Sequence, residues 1–428
     1  MPADQTPTLV AASRSADVWL GWYVDAPMCP CTRVRVYRSP KTTQNIFCKF
    51  FQPLSNSVHC SAVDTFPTTF PCSVGVDMNG SPTVQELDIP VVPYASLRQA
   101  DPATSSILRQ AMGTDGLGIV SVSDIPGFSE MRQRLLPLAK RLAAQPREVL
   151  ARLEDEASSF NVGWSFGREL LDGRMDTRKG SFYANPNMDV PTEDVALIEK
   201  YPCYCRPNVW PAPGSDLDDL EPAFKELGQL MYQVGMELLD ACLVDERVEF
   251  DRDTVSDPAC SRGRLLCYLP EVDETTEMAT KMWCGWHVDH GALTALCPAM
   301  YLGDGGREVA CLPGNLPGDL PGDLPGGSGV APAPRPPIPG LHIRTRSGAL
   351  IRASIRQDAL AFQVGEALER ISGGALEATP HCVVASESRE VSRCTFALFM
   401  QPRWSTVLDK SGLTFGEFSG RRLEEAYS

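Results

Sequence analysis

Beyond Arg262 the chain reads as short β-type runs set close together, at 264–269, 294–301, 341–346, 350–353, 359–364, 378–384 and 393–401. Gly and Pro punctuate them, and one helical stretch, 365–371, interrupts them. Short strands at this spacing point to a sandwich or barrel. The preceding half is different. It reads as helices at 103–112, 128–144 and 221–243, with one Gly-led strand at 116–122. Runs of helices followed by runs of strands favour an α+β chain, mainly β, over a wound parallel sheet.

The helix at 221–243 is the clearest. Phe224, Leu227, Met231, Val234, Leu238 and Ala241 recur at steps of 3 and 4, which makes a core-facing stripe. The helix at 128–144 places Met131, Leu135, Leu138 and Leu142 on one face, and Pro137 inside it predicts a kink or an early end. The run 87–94 is strand-like but broken by Pro, which suits a sheet edge. Residues 160–191 read as loop-rich, with Trp164, Phe166, Phe182 and Tyr183 among them.

Two segments stand apart. Residues 1–80 hold five of the 54 acids, no Glu, and 15 Ser and Thr. With no helical or strand period they read as a disordered extension or an organelle-targeting segment. Residues 303–339 contain nine Gly and nine Pro, including PGNLPGDLPGDLPGG from Pro313. Such a stretch buries too little apolar surface to offset its ordering entropy and is expected to be a disordered loop. The expected organisation is an extension over 1–86, a mostly helical region over 87–250, and a β-rich domain over 251–428 that carries the insert.

Composition excludes several classes. The net charge is −15, so the basic footprint of a general nucleic-acid binder is absent. No run approaches the ~20 apolar residues of a membrane span. The 15 cysteines are odd in number and irregularly spaced, which reads as reduced thiols in a cytoplasmic protein, with organelle targeting through 1–80 as the alternative. Cys29-Pro-Cys31 and Cys203-Tyr-Cys205 lack the paired spacing of structural zinc sites.

Only five histidines exist, and two of them, His287 and His290, flank Asp289 in Trp286-His-Val-Asp-His-Gly291. In an extended segment His287 and Asp289 lie on the same side, so both can face one ion. A third ligand must come from elsewhere, and His381 in Thr379-Pro-His-Cys-Val-Val384 is the best candidate. Two imidazoles and one carboxylate with open opposite positions suit non-haem Fe(II). His290 is read as supporting or structural, and His59 and His342 as non-functional. Further on, Arg393-Cys-Thr395 places a guanidinium and a hydroxyl on one strand face. The guanidinium can grip a carboxylate bidentately, and Ala397 and Phe399 continue the face as a cavity wall.

With these pieces in order, the chain resembles the isopenicillin N synthase-like branch of the 2-oxoglutarate- and iron-dependent dioxygenases. The matching stretches are WHVDHGALTAL from Trp286, GLHIRTRSGALI from Gly340, ALAFQVGEALERISGGALEATPHCVV from Ala359 and RCTFALFMQP from Arg393. LDIPVVPYASL from Leu87, GLGIVSVSDIPG from Gly116 and TFGEFSGRRLEEAY from Thr414 are also similar, so the resemblance runs from about Leu87 to Ser428 apart from the insert. It implies a double-stranded β-helix (jelly roll) core with supporting helices from the N-terminal half. It implies His287, Asp289 and His381 as iron ligands, Arg393 with Thr395 as the clamp for the distal carboxylate of 2-oxoglutarate, and Tyr268 beside that co-substrate. Leu266 stands where the family commonly has Asn, Leu269 intervenes before Pro270, and the clamp is RxT where RxS is commoner.

The expected function is therefore an Fe(II)- and 2-oxoglutarate-dependent oxygenase, using O2 on a small organic substrate by hydroxylation, desaturation or ring closure. Trp164, Phe166, Phe182 and Tyr183 are the candidate substrate contacts. Two rivals remain at this point: an Fe(II) oxidase of the same fold that does without 2-oxoglutarate, with Arg393 binding a substrate carboxylate, and a catalytically silent binding protein.

Overall fold

The computed structural model describes residues 85–99, 101–171, 174–270, 282–309, 339–385 and 391–427. The expected extension before residue 85 and most of the expected Gly/Pro loop, 310–338, lie outside the described residues. The described residues fall within one unit that begins at Cys72.

The strands are β1 Gln85–Asp88, β2 Val91–Pro93, β3 Ile119–Ser123, β4 Gly163–Phe166, β5 Leu170–Leu171, β6 Arg174–Met175, β7 Lys179–Ala184, β8 Arg262–Tyr268, β9 Met282–His287, β10 Leu293–Leu296, β11 Met300–Leu302, β12 Gly340–Arg344, β13 Leu350–Ser354, β14 Leu360–Val364, β15 His381–Val384 and β16 Ser392–Met400. The helices are α1 Tyr94–Arg98, α2 Pro102–Met112, α3 Phe128–Ala143, α4 Arg147–Ala151, α5 Val195–Lys200, α6 Pro202–Cys205, α7 Leu220–Cys242, α8 Arg252–Val255, α9 Glu366–Ile371 and α10 Phe415–Tyr427.

Two large sheets result. One runs β1-β13-β12-β15-β9, and the other runs β2-β3-β14-β10-β16-β8-β7-β4, with β11 pairing β16. The Pro-broken run 87–94 ends up as β1 and β2, each the outermost strand of its sheet, where a missing N–H costs least. The sheets face each other. Ile119 and Ala361 of one pack with Leu341, Ile343 and Ala353 of the other, and Leu266 and Tyr268 pack with Trp283.

Helices α3 and α7 cover the other face of the larger sheet. All six residues of the expected α7 stripe are buried. Phe224 packs edge-on against Phe396 at 4.8 Å and Phe182 at 5.9 Å. Gly263 makes this approach possible, because a Cβ there would meet Phe224 Cζ at 2.7 Å. Alternation along β16 therefore gives Cys394, Phe396, Leu398 and Met400 to the helices, and Arg393, Thr395, Ala397 and Phe399 to the space between the sheets.

Three expectations change. Residues 160–191 are not loop-rich: they supply β4 and β7, which pair with each other and carry the sheet on from β8. Their Gly, Ser and Asn content hides an alternation that burial on both faces erases. The run 294–301 is two strands, β10 and β11, and Met282–His287 is a strand that the sequence pattern does not mark. In α3, Pro137 does not shorten the helix; Met131 packs partly buried against the core as expected, and Arg132 beside it is also buried, donating to the carbonyls of Pro298 and Ala299.

Candidate metal centre

His287 ends β9 and His381 begins β15. The two strands are antiparallel neighbours, and these residues are register partners, with ring centroids 4.2 Å apart. Asp289 lies just past β9, where the chain crosses to β10 in the other sheet. The donor atoms of His287, Asp289 and His381 lie within 4.8 Å of one another, and this is the one such group among the described residues. Asp289 Oδ1 is 3.6 Å from His287 Nε2 and 3.9 Å from His381 Nε2.

Each donor is oriented from behind. His287 Nδ1 is 2.8 Å from the Gly285 carbonyl, and His381 Nδ1 is 3.2 Å from the Thr379 carbonyl. A carbonyl only accepts, so both Nδ1 atoms carry the hydrogen and both Nε2 atoms present a lone pair. The Gln363 amide sits 2.7 Å from His381 Nδ1. The amide nitrogen of Gln363 also donates to the Thr379 carbonyl at 3.3 Å, so Gln363, Thr379 and the His381 ring form one buried contact. Thr294 Oγ1 donates to Asp289 Oδ2 at 2.6 Å.

The electrostatics favour the ligand form at Asp289 and at His381. Burial works against the Asp289 carboxylate, but His381, His287 and the Thr294 hydrogen bond outweigh it and lower its pKa. Burial lowers that of His381, which keeps it a neutral donor. At His287 burial also disfavours charge, yet the Cys284 sulfur at 3.8 Å, whose own pKa the imidazole lowers, outweighs it together with Asp289 and raises the imidazole, so a metal taking Nε2 must displace a proton there. The His287 side chain is 40% exposed, so the group is open on one side. With the His287 proton displaced, two imidazole nitrogens and one ionised carboxylate oxygen form the donor set that Fe(II) takes, and the residues fit that ion.

Arg393 and Tyr268 are register partners on β16 and β8. The guanidinium lies 5.2 Å from the Tyr268 ring centroid, and that ring stacks on Trp283 at 5.1 Å. Arg393 is buried, and its Nε and Nη1 have no hydrogen-bond partner among the described residues. A buried cation with idle donors is costly unless an anion completes it. Thr395 shares the inner face, but its hydroxyl hydrogen goes to the Cys297 carbonyl at 2.7 Å, so it can only accept from anything else.

Of the four candidate substrate aromatics, the strand alternation brings only Tyr183 to the inner face. Trp164 and Phe182 are in the helix-side core, and Phe166, stacked on Trp164, is 39% exposed. His290 stays outside the triad, 3.2 Å from the Tyr204 hydroxyl, and His342 is buried on β12. Cys203 and Cys205 sit on α6. His59, Cys29 and Cys31 lie outside the described residues.

Sequence reading missed Thr294, Gln363 and Cys284. It also missed a buried charge cluster on the same inner wall. Glu169 pairs with Lys179 at 2.8 Å and with Arg264, and accepts from Tyr183, while Lys179 also meets Asp176 at 3.2 Å. The available signal was charge at alternate positions, Arg262 and Arg264, in an otherwise apolar β8.

No protein-family model and no curated protein matches the sequence. Solved structures do. A full-length Neurospora crassa protein in complex with alpha-KG and thymine aligns with a TM-score of 0.56 at 18% identity, over 79% of this chain and 97% of that one. A 2OG-Fe(II) oxygenase family protein from Caulobacter crescentus aligns at 0.53 with 20% identity, over 79% and 98%. JOX2 in complex with 2OG, Fe and JA aligns at 0.52 with 13% identity, over 80% and 86%. The described part of the chain thus has the fold of the 2OG-Fe(II) oxygenases.

Proposed function

We propose that this chain is an Fe(II)- and 2-oxoglutarate-dependent oxygenase acting on a small organic substrate, with its two facing sheets forming a double-stranded β-helix. The isopenicillin N synthase-like branch rests on the sequence motifs. The observation that carries the reading is that the facing sheets provide a His-Asp-His set and, at Arg393, a buried guanidinium with donors idle among the described residues.

His287, Asp289 and His381 would hold the iron, which when bound supplies the activation of O2 coupled to breakdown of 2-oxoglutarate to succinate and CO2. The chain's own residues do the rest. The Nδ1 hydrogen bonds fix which nitrogen each imidazole presents, and Thr294 holds the carboxylate so that Oδ1 faces the histidines. Arg393 grips the distal carboxylate of 2-oxoglutarate through its free N–H groups, with the Tyr268 face beneath it. Trp283 against Tyr268 keeps water from that ion pair, which strengthens it.

The test is anaerobic titration of the protein with Fe(II) and then 2-oxoglutarate, followed by aerobic assay of succinate. The expected result is a visible charge-transfer band that needs both additions, and succinate on admission of air. No band with iron bound, or O2 uptake without succinate, would transfer the assignment to the 2-oxoglutarate-independent oxidase.

A further inference from the structure

Arg262 is a second buried guanidinium without a counter-ion among the described residues. It is 4% exposed on the inner face of β8. Its Nη2 donates to the Cys203 carbonyl at 2.8 Å, while Nε and Nη1 have no hydrogen-bond partner among the described residues. Among those residues it also forms no ion pair, and the titratable groups around it, Tyr204, Cys203, Cys260 and Cys205, are neutral in their ordinary forms. One carbonyl cannot offset a desolvated cation.

Its place in the sheet says what could. Arg262 pairs with Phe399, and Phe399 pairs on its other side with Thr294, the residue that bonds Asp289. Two strand spacings put the Arg262 backbone on the order of 10 Å from Thr294. Phe399 lies between them on the inner face and is half-buried. Arg262 and Tyr268 stand at opposite ends of β8, roughly 20 Å apart at ~3.3 Å per residue. The anion that Arg262 needs is therefore a different one from the anion at Arg393.

We propose that Arg262 anchors a carboxylate of the substrate, held over Phe399 beside the metal centre, which makes the substrate class a small organic acid. Nη1 with the second hydrogen of Nη2 forms a fork that matches two carboxylate oxygens. The inference rests on the oxygenase reading for the word substrate, though not for the anion site itself.

The experiment uses full-length protein loaded with Fe(II) and 2-oxoglutarate under anaerobic conditions, so that Arg393 is occupied and the charge-transfer band certifies the complex. Benzoate and benzamide are titrated in by calorimetry, and crystals of the same complex are soaked in bromide. The expected results are benzoate binding about 10- to 150-fold tighter than benzamide, and a bromide anomalous peak within hydrogen-bonding reach of Arg262 Nε or Nη1. Arg262→Met should abolish both without changing 2-oxoglutarate affinity. Should that variant misfold, Arg262→Lys, which keeps the charge and loses the fork, should retain the peak and reduce the preference. Equal affinity for the two probes, no benzoate binding at millimolar concentration, or a bromide map empty at Arg262 overturns the inference. If the band itself fails to form, it is the oxygenase reading that fails.

Discussion

Thr294 Oγ1 donates to Asp289 Oδ2 at 2.6 Å, and the oxygen it leaves free, Oδ1, is the one that lies near both His287 and His381. Thr294 belongs to β10 in the larger sheet, whereas His287 and His381 belong to the smaller one. A hydroxyl from one sheet thus holds the carboxylate, which lies on the crossing between the sheets, in position for imidazoles from the other. Removing it with Thr294→Val should weaken Fe(II) about 10-fold or more, the usual effect of losing such a partner, with little change in melting temperature. Thr294→Ser should restore affinity. Competition against a chelator of known strength measures it.

His287→Ala or Asp289→Ala should abolish retention of Fe(II), and activity with it, while far-ultraviolet circular dichroism stays that of the parent. Both residues sit at the end of β9 and contribute nothing to the hydrophobic clusters. Metal analysis after desalting gives the answer, and wild-type iron content in either variant would remove that residue from the set.

Arg393→Lys should raise the 2-oxoglutarate dissociation constant by about 10- to 150-fold, because lysine keeps the charge and loses the parallel N–H fork. Fe(II) affinity without co-substrate should hold, since Arg393 is not among the three donors. Calorimetry on the iron-loaded proteins compares the two constants. Equal constants would free Arg393 from the clamp role.

Glu169 gives a pH prediction. Burial pushes its carboxyl up, but Arg264 and Lys179 outweigh that and hold it at about 2, against an ordinary value of 4.5. A depressed carboxylate pKa contributes stability that is complete above the unfolded value and is lost as pH falls through the folded one. Wild type should therefore lose stability between about pH 4.5 and 2. Glu169→Gln leaves Arg264 and Lys179 short of their shared partner and should cost about 3 kcal/mol near neutral pH. The difference between the two proteins should shrink across that acid window. Urea unfolding near neutral pH and at steps down through the window follows it, and a constant gap would show that the cluster does not depend on the Glu169 charge.

The candidate site was legible where its chemistry is local. Arg393 and Thr395 are two residues apart on β16, so strand alternation sets them on one face, and His287 and Asp289 are close enough in sequence for one short stretch at the end of β9 to bring both to one point. The α7 stripe was legible for the same reason with a period of 3.6 residues. What escaped depends on register between strands far apart in sequence. Nothing near Gln363 announces His381, and nothing near Glu169 announces Arg264; they meet only because β14, and the turn after β4 that carries Glu169, lie where they do. The strands β4 and β7 escaped because a sheet covered by helices on one side and by a second sheet on the other buries both faces, which removes the polar alternation that marks a half-exposed strand.

His287 and His381 are partners across β9 and β15, yet nearly a hundred positions of chain separate their synthesis. During translation the first histidine and its aspartate leave the ribosome well before the second. At that stage the growing polypeptide offers an ion only a bidentate hold, and β9 has no β15 to lie against. Tight capture of iron must wait for the last fifth of the sequence. If the proposed triad holds Fe(II), the order of synthesis keeps a metal that activates O2 out of an unfinished chain, whose methionines and thiols would be the first things oxidised.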